Sequence, residues 1–293
     1  MNIFITGATG FIGTNLIDFF LKRNINITIN IRKKNLITFS QSINTYSLQH
    51  GSIEDDIIFF KKNKFDGVIH LASLYLKSHN PSDVKDLVDS NIGFSTHVLE
   101  CAVKSNVKWF INTGTFFQNK NKKIYSPVNL YSATKEAFIN LAKYYYENDM
   151  IKFYTIKIPD TYGPNDTRPK LINILLESIF SNKQISMQGN PNQLLNLVHV
   201  NDVINAFYLL STQLFNNSDS FENGFVFSLD SSAKYTLKEI TDIINLCSNN
   251  KLNISWKNSS KTILINSPKN IDKVPNWKQK TSLKNGILEM LQF

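Results

Sequence analysis

Cysteine is scarce in this 293-residue chain. Only Cys101 and Cys247 occur, far apart and in no metal-ligand spacing. Neither a disulfide framework nor a metal site is therefore expected, and both residues read as small core groups within apolar helical patterns. Acid is also in deficit, with 23 Asp and Glu against 32 Lys and Arg, for a net charge of +9. The surplus is scattered, as in Lys61-Lys62 and between Lys120 and Lys123, and no basic stripe interleaves with aromatics. A nucleic-acid surface is therefore not expected, and a solvated surface or an anionic small molecule suits the charge better. No apolar run reaches the ~18 residues of a membrane span. Met1 to Thr6 already reads as a strand, so the expectation is a chain without a secretory leader, working in a reducing cytoplasm. Neither an internal repeat nor a low-complexity linker interrupts the sequence.

What is present is enough apolar residue, 42% with 21 Phe and 11 Tyr, to bury a sizeable core. The first half alternates strand and helix. Strands are expected at Asn2–Thr6, Asn26–Ile31, Tyr46–Leu48, Gly67–Ala72, Lys108–Thr113 and Lys152–Ile158. Helices are expected at Phe11–Lys22, Asp55–Lys62, Asp83–Ser105 and Tyr131–Asn148. That alternation predicts an α/β fold, a Rossmann-like doubly wound parallel sheet covered on both faces. Beyond Pro159 the rhythm changes. Helices at Lys170–Phe180, Asp202–Gln213, Thr236–Ser248 and Ser282–Leu291 mix with short strands at Ile185–Met187, Leu195–Val198, Phe225–Leu229 and Ile254–Trp256. The expectation is a dinucleotide-binding domain over 1–165, to which the chain returns around 190–230. A smaller mixed α/β substrate lobe would occupy most of 166–293, with a cleft between.

Gly7-Ala8-Thr9-Gly10-Phe11-Ile12-Gly13 lies between the first strand and the first helix. Glycines there permit a tight turn and bring a pyrophosphate to the helix N-terminus, where free amides and the helix dipole favour an anion. A carboxylate about 20 residues on would bind the ribose 2′-hydroxyl of NAD. This chain has Asn30-Ile31-Arg32-Lys33-Lys34 instead. The cations Arg32 and Lys33 would complement a 2′-phosphate, so NADP (as NADPH) is the expected cofactor.

Tyr131-Ser132-Ala133-Thr134-Lys135 places Tyr131 and Lys135 one helical turn apart on one face. An ammonium there would stabilise the phenolate and let the tyrosine exchange a proton near neutral pH. Thr113 ends a parallel strand, where ligands bind in open α/β sheets, and can hydrogen-bond the same substrate oxygen. His199, in a Val-His-Val strand end, reads as a packing group rather than a catalytic one.

Together these residues resemble the extended short-chain dehydrogenases/reductases, the NAD(P)-dependent epimerases, dehydratases, decarboxylases and reductases of nucleotide sugars. The resemblance covers essentially the whole chain. It rests on Gly7 to Gly13, His70-Leu71-Ala72-Ser73, Asn91 with Gly93, Thr113, and Tyr131 to Lys135. Tyr162-Gly163-Pro164, Val198-His199-Val200-Asn201-Asp202, and Asn276-Trp277-Lys278 with Ser282-Leu283 complete it. The resemblance implies that Tyr131 is the acid/base, that Lys135 holds the nicotinamide ribose and tunes the tyrosine, and that Thr113 orients the carbonyl. It also implies that Leu71, Ala72 and Ser73 line the cofactor and that Asn91, behind the site on the long helix, binds it as well.

Departures within the family narrow the reaction. Its 4,6-dehydratases follow the threonine with Asp-Glu, whereas Thr113 is followed by Gly114 and Thr115, so elimination lacks its acid and base. Asn129-Leu130-Tyr131 and the stretch from Asp160 to Leu171 are similar to 4-ketoreductases of the CDP-abequose synthase type, which finish 6-deoxy or 3,6-dideoxy sugars. That likeness implies NADPH-dependent reduction of a CDP- or dTDP-linked 4-keto-6-deoxyhexose, with Tyr75, Thr115, Asp160, Arg168 and Lys170 toward the substrate. Asp160 stands where many relatives have Asn, and an aspartate beside a diphosphate needs a cation, which Arg168 or Lys170 would supply. A 4-epimerase with retained NAD(P), or a non-catalytic NADP-sensing protein, are the alternatives. A homodimer is expected, built on the long helices that begin at Asp83 and Tyr131.

Overall fold

A computed structural model describes residues 1–32, 43–48, 52–120, 125–188, 190–218, 220–257 and 271–292. In chain order the first half runs β1 (Asn2–Thr6), α1 (Phe11–Leu21), β2 (Asn26–Asn30), β3 (Asn44–Tyr46), α2 (Ile53–Asn63) and β4 (Gly67–His70). A helical stretch follows, made of a 3₁₀ turn (Pro81–Asp83), α3 (Val84–Val88), a π turn (Asp89–Gly93) and α4 (Phe94–Lys104). Then come β5 (Trp109–Thr115), a 3₁₀ turn (Phe116–Gln118), α5 (Leu130–Glu147), β6 (Lys152–Ile158) and β7 (Asp160–Tyr162). The second half runs α6 (Leu171–Ser181), β8 (Ile185–Gln188), β9 (Leu194–Leu195), β10 (Leu197–His199), α7 (Val200–Phe215) and β11 (Val226–Ser228). It ends with β12 (Tyr235–Thr236), α8 (Leu237–Cys247), β13 (Ile254–Lys257) and α9 (Leu283–Leu291).

Seven strands form one sheet in the order β11-β6-β5-β4-β1-β2-β3, and every neighbouring pair is parallel. The order reverses beside β1, which places the switch point where the glycine loop leaves the sheet. Strands such as Gly67–His70 are buried at every position because helices cover both faces. On one face α1 and α7 pack Leu16, Ile17 and Phe20 against Val203, Phe207 and Leu210. On the other, α2, α4 and α5 bury Phe60, Val98, Leu99, Phe138 and Ala142 over Phe4, Phe110 and Phe153. A third cluster joins α6, α8 and α9 through Leu175, Ile179, Ile240, Ile244 and Ile287. At the edge of the main sheet, β11 pairs in parallel with Thr155–Lys157 of β6.

The expected helix over Asp83–Ser105 is there, but it is not uniform. The π turn at Asp89–Gly93 interrupts it, and such turns commonly mark functional sites. The third strand lies at Asn44–Tyr46 rather than Tyr46–Leu48, and β5 extends two residues beyond Thr113. Both cysteines are free thiols. No described helix is long and apolar enough to cross a membrane.

Candidate active site

The carboxyl edge of the sheet gathers most of the residues singled out by sequence. Gly7 has φ +69°, and a Cβ there would lie 2.5 Å from the Ala72 amide nitrogen. Only glycine lets the loop press against the backbone after β4. A Cβ at Gly13 would meet the Gly7 carbonyl oxygen at 2.3 Å, so the third glycine packs α1 onto the loop. Gly10 is the N-cap of α1, no side chain caps it, and Thr9 and Gly10 are exposed. Phe11 and Ile12, half-buried, begin the helix. Phe11 lies under the Arg168 guanidinium, 4.5 Å from it. These features fit the donor set that a dinucleotide diphosphate needs.

At the end of β2 the Asn30 side chain accepts the Leu48 amide at 3.0 Å and is buried, so it braces the strand end. Arg32 is exposed just beyond it. Lys33 lies outside the described residues.

Asn129 caps α5, accepting the Ser132 amide at 3.0 Å while its Nδ2 reaches the Leu76 and Lys77 carbonyls. This fixes Tyr131 in the first turn. The Tyr131 ring stands edge-on to Tyr75, with centroids 5.0 Å apart. Lys135, one turn on, is 1% exposed, and burial lowers its amine to about 8. Burial also pushes the Tyr131 phenol up to about 12, while Ser73 and the Arg168 charge pull the other way. The expected depression of the phenol by Lys135 is therefore not what this geometry gives. Desolvation outweighs nearby charge, and Lys135 is itself a desolvated amine.

The Thr113 hydroxyl donates to the His70 carbonyl at 3.0 Å. Asn91 is fully buried in the π turn. Its amide donates to the Leu74 carbonyl and the Thr134 hydroxyl and accepts the Leu74 amide. It was expected to bind cofactor, but no surface of it faces the cleft, so it acts on the site through Leu74 and Thr134. Leu71 and Ala72 are half-buried and Ser73 is exposed along the segment after β4.

On the opposite wall, Lys170 pairs with Asp160 at 3.1 Å, and its ammonium sits 4.6 Å from the Tyr75 ring and 5.7 Å from Phe117. Arg168 is held bidentately by Asp166, at 2.7 and 2.8 Å, and donates to the Thr161 carbonyl at 3.0 Å. Its fork is therefore already engaged, whereas Lys170 is the cation that neutralises Asp160. Thr115 caps the 3₁₀ turn at Phe116–Gln118, and its amide donates to Gln118 Oε1 at 2.7 Å. Gln118 also bonds Glu136, which faces the buried Lys157 at 3.7 Å. A Cβ on Gly114 would meet Lys157 Cγ and Thr155 Cγ2 at 2.9 Å.

Phe117, Asp166 and His70 are the residues that sequence reasoning passed over. His70 stood in the His70-Leu71-Ala72-Ser73 motif and Asp166 in the Asp160–Leu171 stretch, though without a role for either, while Phe117 carried no signal. His199 is buried as the N-cap of α7, accepting the Asn201 amide at 3.4 Å, which agrees with a packing role. A cavity of about 510 Å³ opens instead at the amino ends of β5 and β6, lined by Lys108, Lys152 and Asn223 among others. It is remote from Tyr131, and the carboxyl edge is where open α/β sheets bind ligands. Among the described residues one group could gather around a cation: Asp56, His97 and Cys101 bring ligand atoms within 4.8 Å. That carboxylate already accepts from Tyr46 at 2.9 Å and contacts His97 at 2.7 Å.

Comparison with known proteins agrees with this architecture. Residues 3–222 match the family described as "NAD dependent epimerase/dehydratase family". CDP-abequose synthase of Salmonella muenchen is 25% identical over 297 residues, covering 99% of this chain and 97% of that one. A dTDP-D-glucose 4,6-dehydratase of Dictyostelium discoideum is 25% identical over 239 residues, covering 71% and 55%. Among solved structures, UDP-glucose 4-epimerase of Thermotoga maritima with UDP-glucose superposes with a TM-score of 0.83 at 18% identity, covering 100% and 98%. A UDP-glucose-4-epimerase of Stenotrophomonas maltophila, with bound NAD and formylated UDP-arabinopyranose, also gives 0.83, at 14% identity, covering 100% and 97%.

Proposed function

Because the chain belongs to the NAD dependent epimerase/dehydratase family, we propose that it is an NADPH-dependent ketoreductase. Its substrate in this reading is a CDP- or dTDP-linked 4-keto-6-deoxyhexose. A bound nicotinamide would supply hydride to C4. Tyr131 would give its phenolic proton to the C4 oxygen, Thr113 would steady that oxygen, and the buried Lys135 would hold the ribose behind the phenol. Gly7, Thr9, Gly10, Phe11, Ile12 and Gly13 would carry the diphosphate of the dinucleotide, with Leu71, Ala72 and Ser73 along its nicotinamide half. Tyr75, Phe117 and Thr115 would wall the sugar, and Lys170 would turn from Asp160 toward the substrate diphosphate.

The observation that carries the choice of reduction over elimination is the packing at Gly114. A Cβ there would meet Lys157 Cγ and Thr155 Cγ2 at 2.9 Å, so contact at position 114 as well as the sequence speaks against an acidic pair after Thr113. The preference for NADP rests on Asn30, which offers no carboxylate and is engaged with Leu48, and on the exposed Arg32 beside it. The dimer rests on Val84, Val88, Leu141 and Tyr144, large apolar side chains left exposed on the paired α3 and α5. A 4-epimerase is the second reading, favoured by the epimerases among the structural neighbours.

The test is incubation with NADPH and a panel of CDP-, dTDP-, UDP- and GDP-linked 4-keto sugars, with product NMR. Reduction at C4, lost in Tyr131→Phe although the variant still binds dinucleotide, is the expected result. Turnover by Tyr131→Phe equal to the natural chain would overturn the assignment of the acid.

A further inference from the structure

A line of buried hydrogen bonds runs beneath the cleft from the glycine loop to the acid/base helix, and its direction can be deduced. Ser95 Oγ donates to the Asn91 carbonyl at 2.9 Å. A carbonyl cannot donate, so the single Ser95 proton is engaged there. The 2.9 Å contact between Ser95 Oγ and His70 Nε2 therefore has the imidazole as donor. A neutral ring protonated on Nε2 has a lone pair on Nδ1, so in the 2.8 Å contact with Thr6 Oγ1 the threonine donates. That hydroxyl in turn accepts the Ala72 amide at 3.3 Å. Thr6, His70, Asn91 and Ser95 are all 0% exposed, and Phe94, Phe110 and Phe138 surround the imidazole. A network in such a setting is stabilising only when every member is satisfied, as it is here.

Both ends of the line reach the site. Thr6 is the last residue of β1, and Ala72 is the residue on which Gly7 closes. At the far end, Asn91 Nδ2 donates to Thr134 Oγ1 at 2.9 Å, and that hydroxyl donates to the Tyr131 carbonyl at 2.8 Å. In between, the His70 carbonyl accepts the Thr113 hydroxyl. We propose that His70 is a positioning residue locked as its Nε2–H tautomer, holding β1, Thr113 and the π turn together so that dinucleotide affinity and turnover depend on one ring. Only the turnover arm of its test rests on the ketoreductase reading.

The tautomer is read directly by ¹⁵N NMR of the imidazoles in the full chain at neutral pH, with His70→Asn used for assignment. A proton on Nε2 alone is expected, and a proton on Nδ1 would overturn the proposal. The coupling is tested crosswise with two small substitutions. Ser95→Ala lies away from the glycine loop, yet it should weaken NADPH and NADH binding about tenfold, and Ser95→Thr should restore it. Thr6→Val should lower kcat about tenfold at saturating NADPH while leaving the sugar KM nearly unchanged. Natural affinity in Ser95→Ala would overturn the coupling. If the natural chain reduces no nucleotide sugar, the ketoreductase reading fails, and the tautomer and binding measurements still decide the role of His70.

Discussion

The guanidinium of Arg168 lies 4.5 Å from the ring of Phe11, so a cation from the turn after β7 rests on the first residue of the helix that follows the glycine loop. Asp166, whose side chain has no exposed surface, holds that guanidinium bidentately. The turn before α6 and the glycine loop are thus joined by one residue. Removing it leaves a buried carboxylate without its counter-ion. Arg168→Ala should lower stability by about 1–3 kcal/mol, discounted here because the arginine is 36% exposed. Asp166→Asn added to it should recover part of the loss. Urea midpoints of the natural chain and the two variants check this, and equal midpoints for the single and double variants would deny the penalty at Asp166.

Lys135 gives a prediction for the dependence of stability on pH. Its amine is at about 8 in the folded chain against an ordinary 10.5, because burial disfavours the charge. The unfolded chain therefore binds this proton more tightly. The resulting penalty is full below pH 8 and fades as pH rises from 8 toward 10.5. Lys135→Met should therefore be the more stable protein at pH 7, by up to about 3 kcal/mol, and the advantage should shrink in alkali. Denaturant unfolding at pH 7 and pH 10 measures it. Turnover should be lost in the same variant.

Gly114→Ala tests the tight wall behind Thr113. With Lys157 Cγ and Thr155 Cγ2 at 2.9 Å from the new methyl, a cost of about 1–3 kcal/mol is expected. Gly114→Asp should be worse folded and should gain no elimination activity with a dTDP-hexose. A stable variant that released water from such a sugar would remove the argument for reduction.

Arg32→Asp should weaken NADPH binding and leave NADH binding unchanged or tighter, since it trades a cation for the carboxylate that suits a ribose hydroxyl. Titration of both dinucleotides by fluorescence checks this. Equal weakening of the two would show that Arg32 does not discriminate.

The sheet was legible because its strands are short, buried apolar runs punctuated by helical periodicity, as at Gly67–His70 and Lys152–Ile158. β7 was not, since Asp160-Thr161-Tyr162 is embedded among turn residues and pairs with the distant Leu197–His199. The π turn at Asn91 left no mark either, because helical spacing on both sides absorbs it. Tyr131, Lys135 and the glycine loop announce themselves by local spacing. The partners that decide their chemistry do not. Asn129 is matched to Leu76, and His70 to Thr6 and Ser95, only once the chain has folded. Burial of Lys135 was equally invisible, as was the desolvation that pushes the half-buried Tyr131 phenol up.

The most direct measurement uses NADPH carrying deuterium at the transferring position of the nicotinamide, together with a CDP- or dTDP-linked 4-keto-6-deoxyhexose. Hydride transfer from the dinucleotide predicts deuterium at C4 of the product and one NADPH oxidised for each sugar reduced. A product without deuterium at C4, or interconversion of C4 epimers with no net NADPH oxidation, would contradict it.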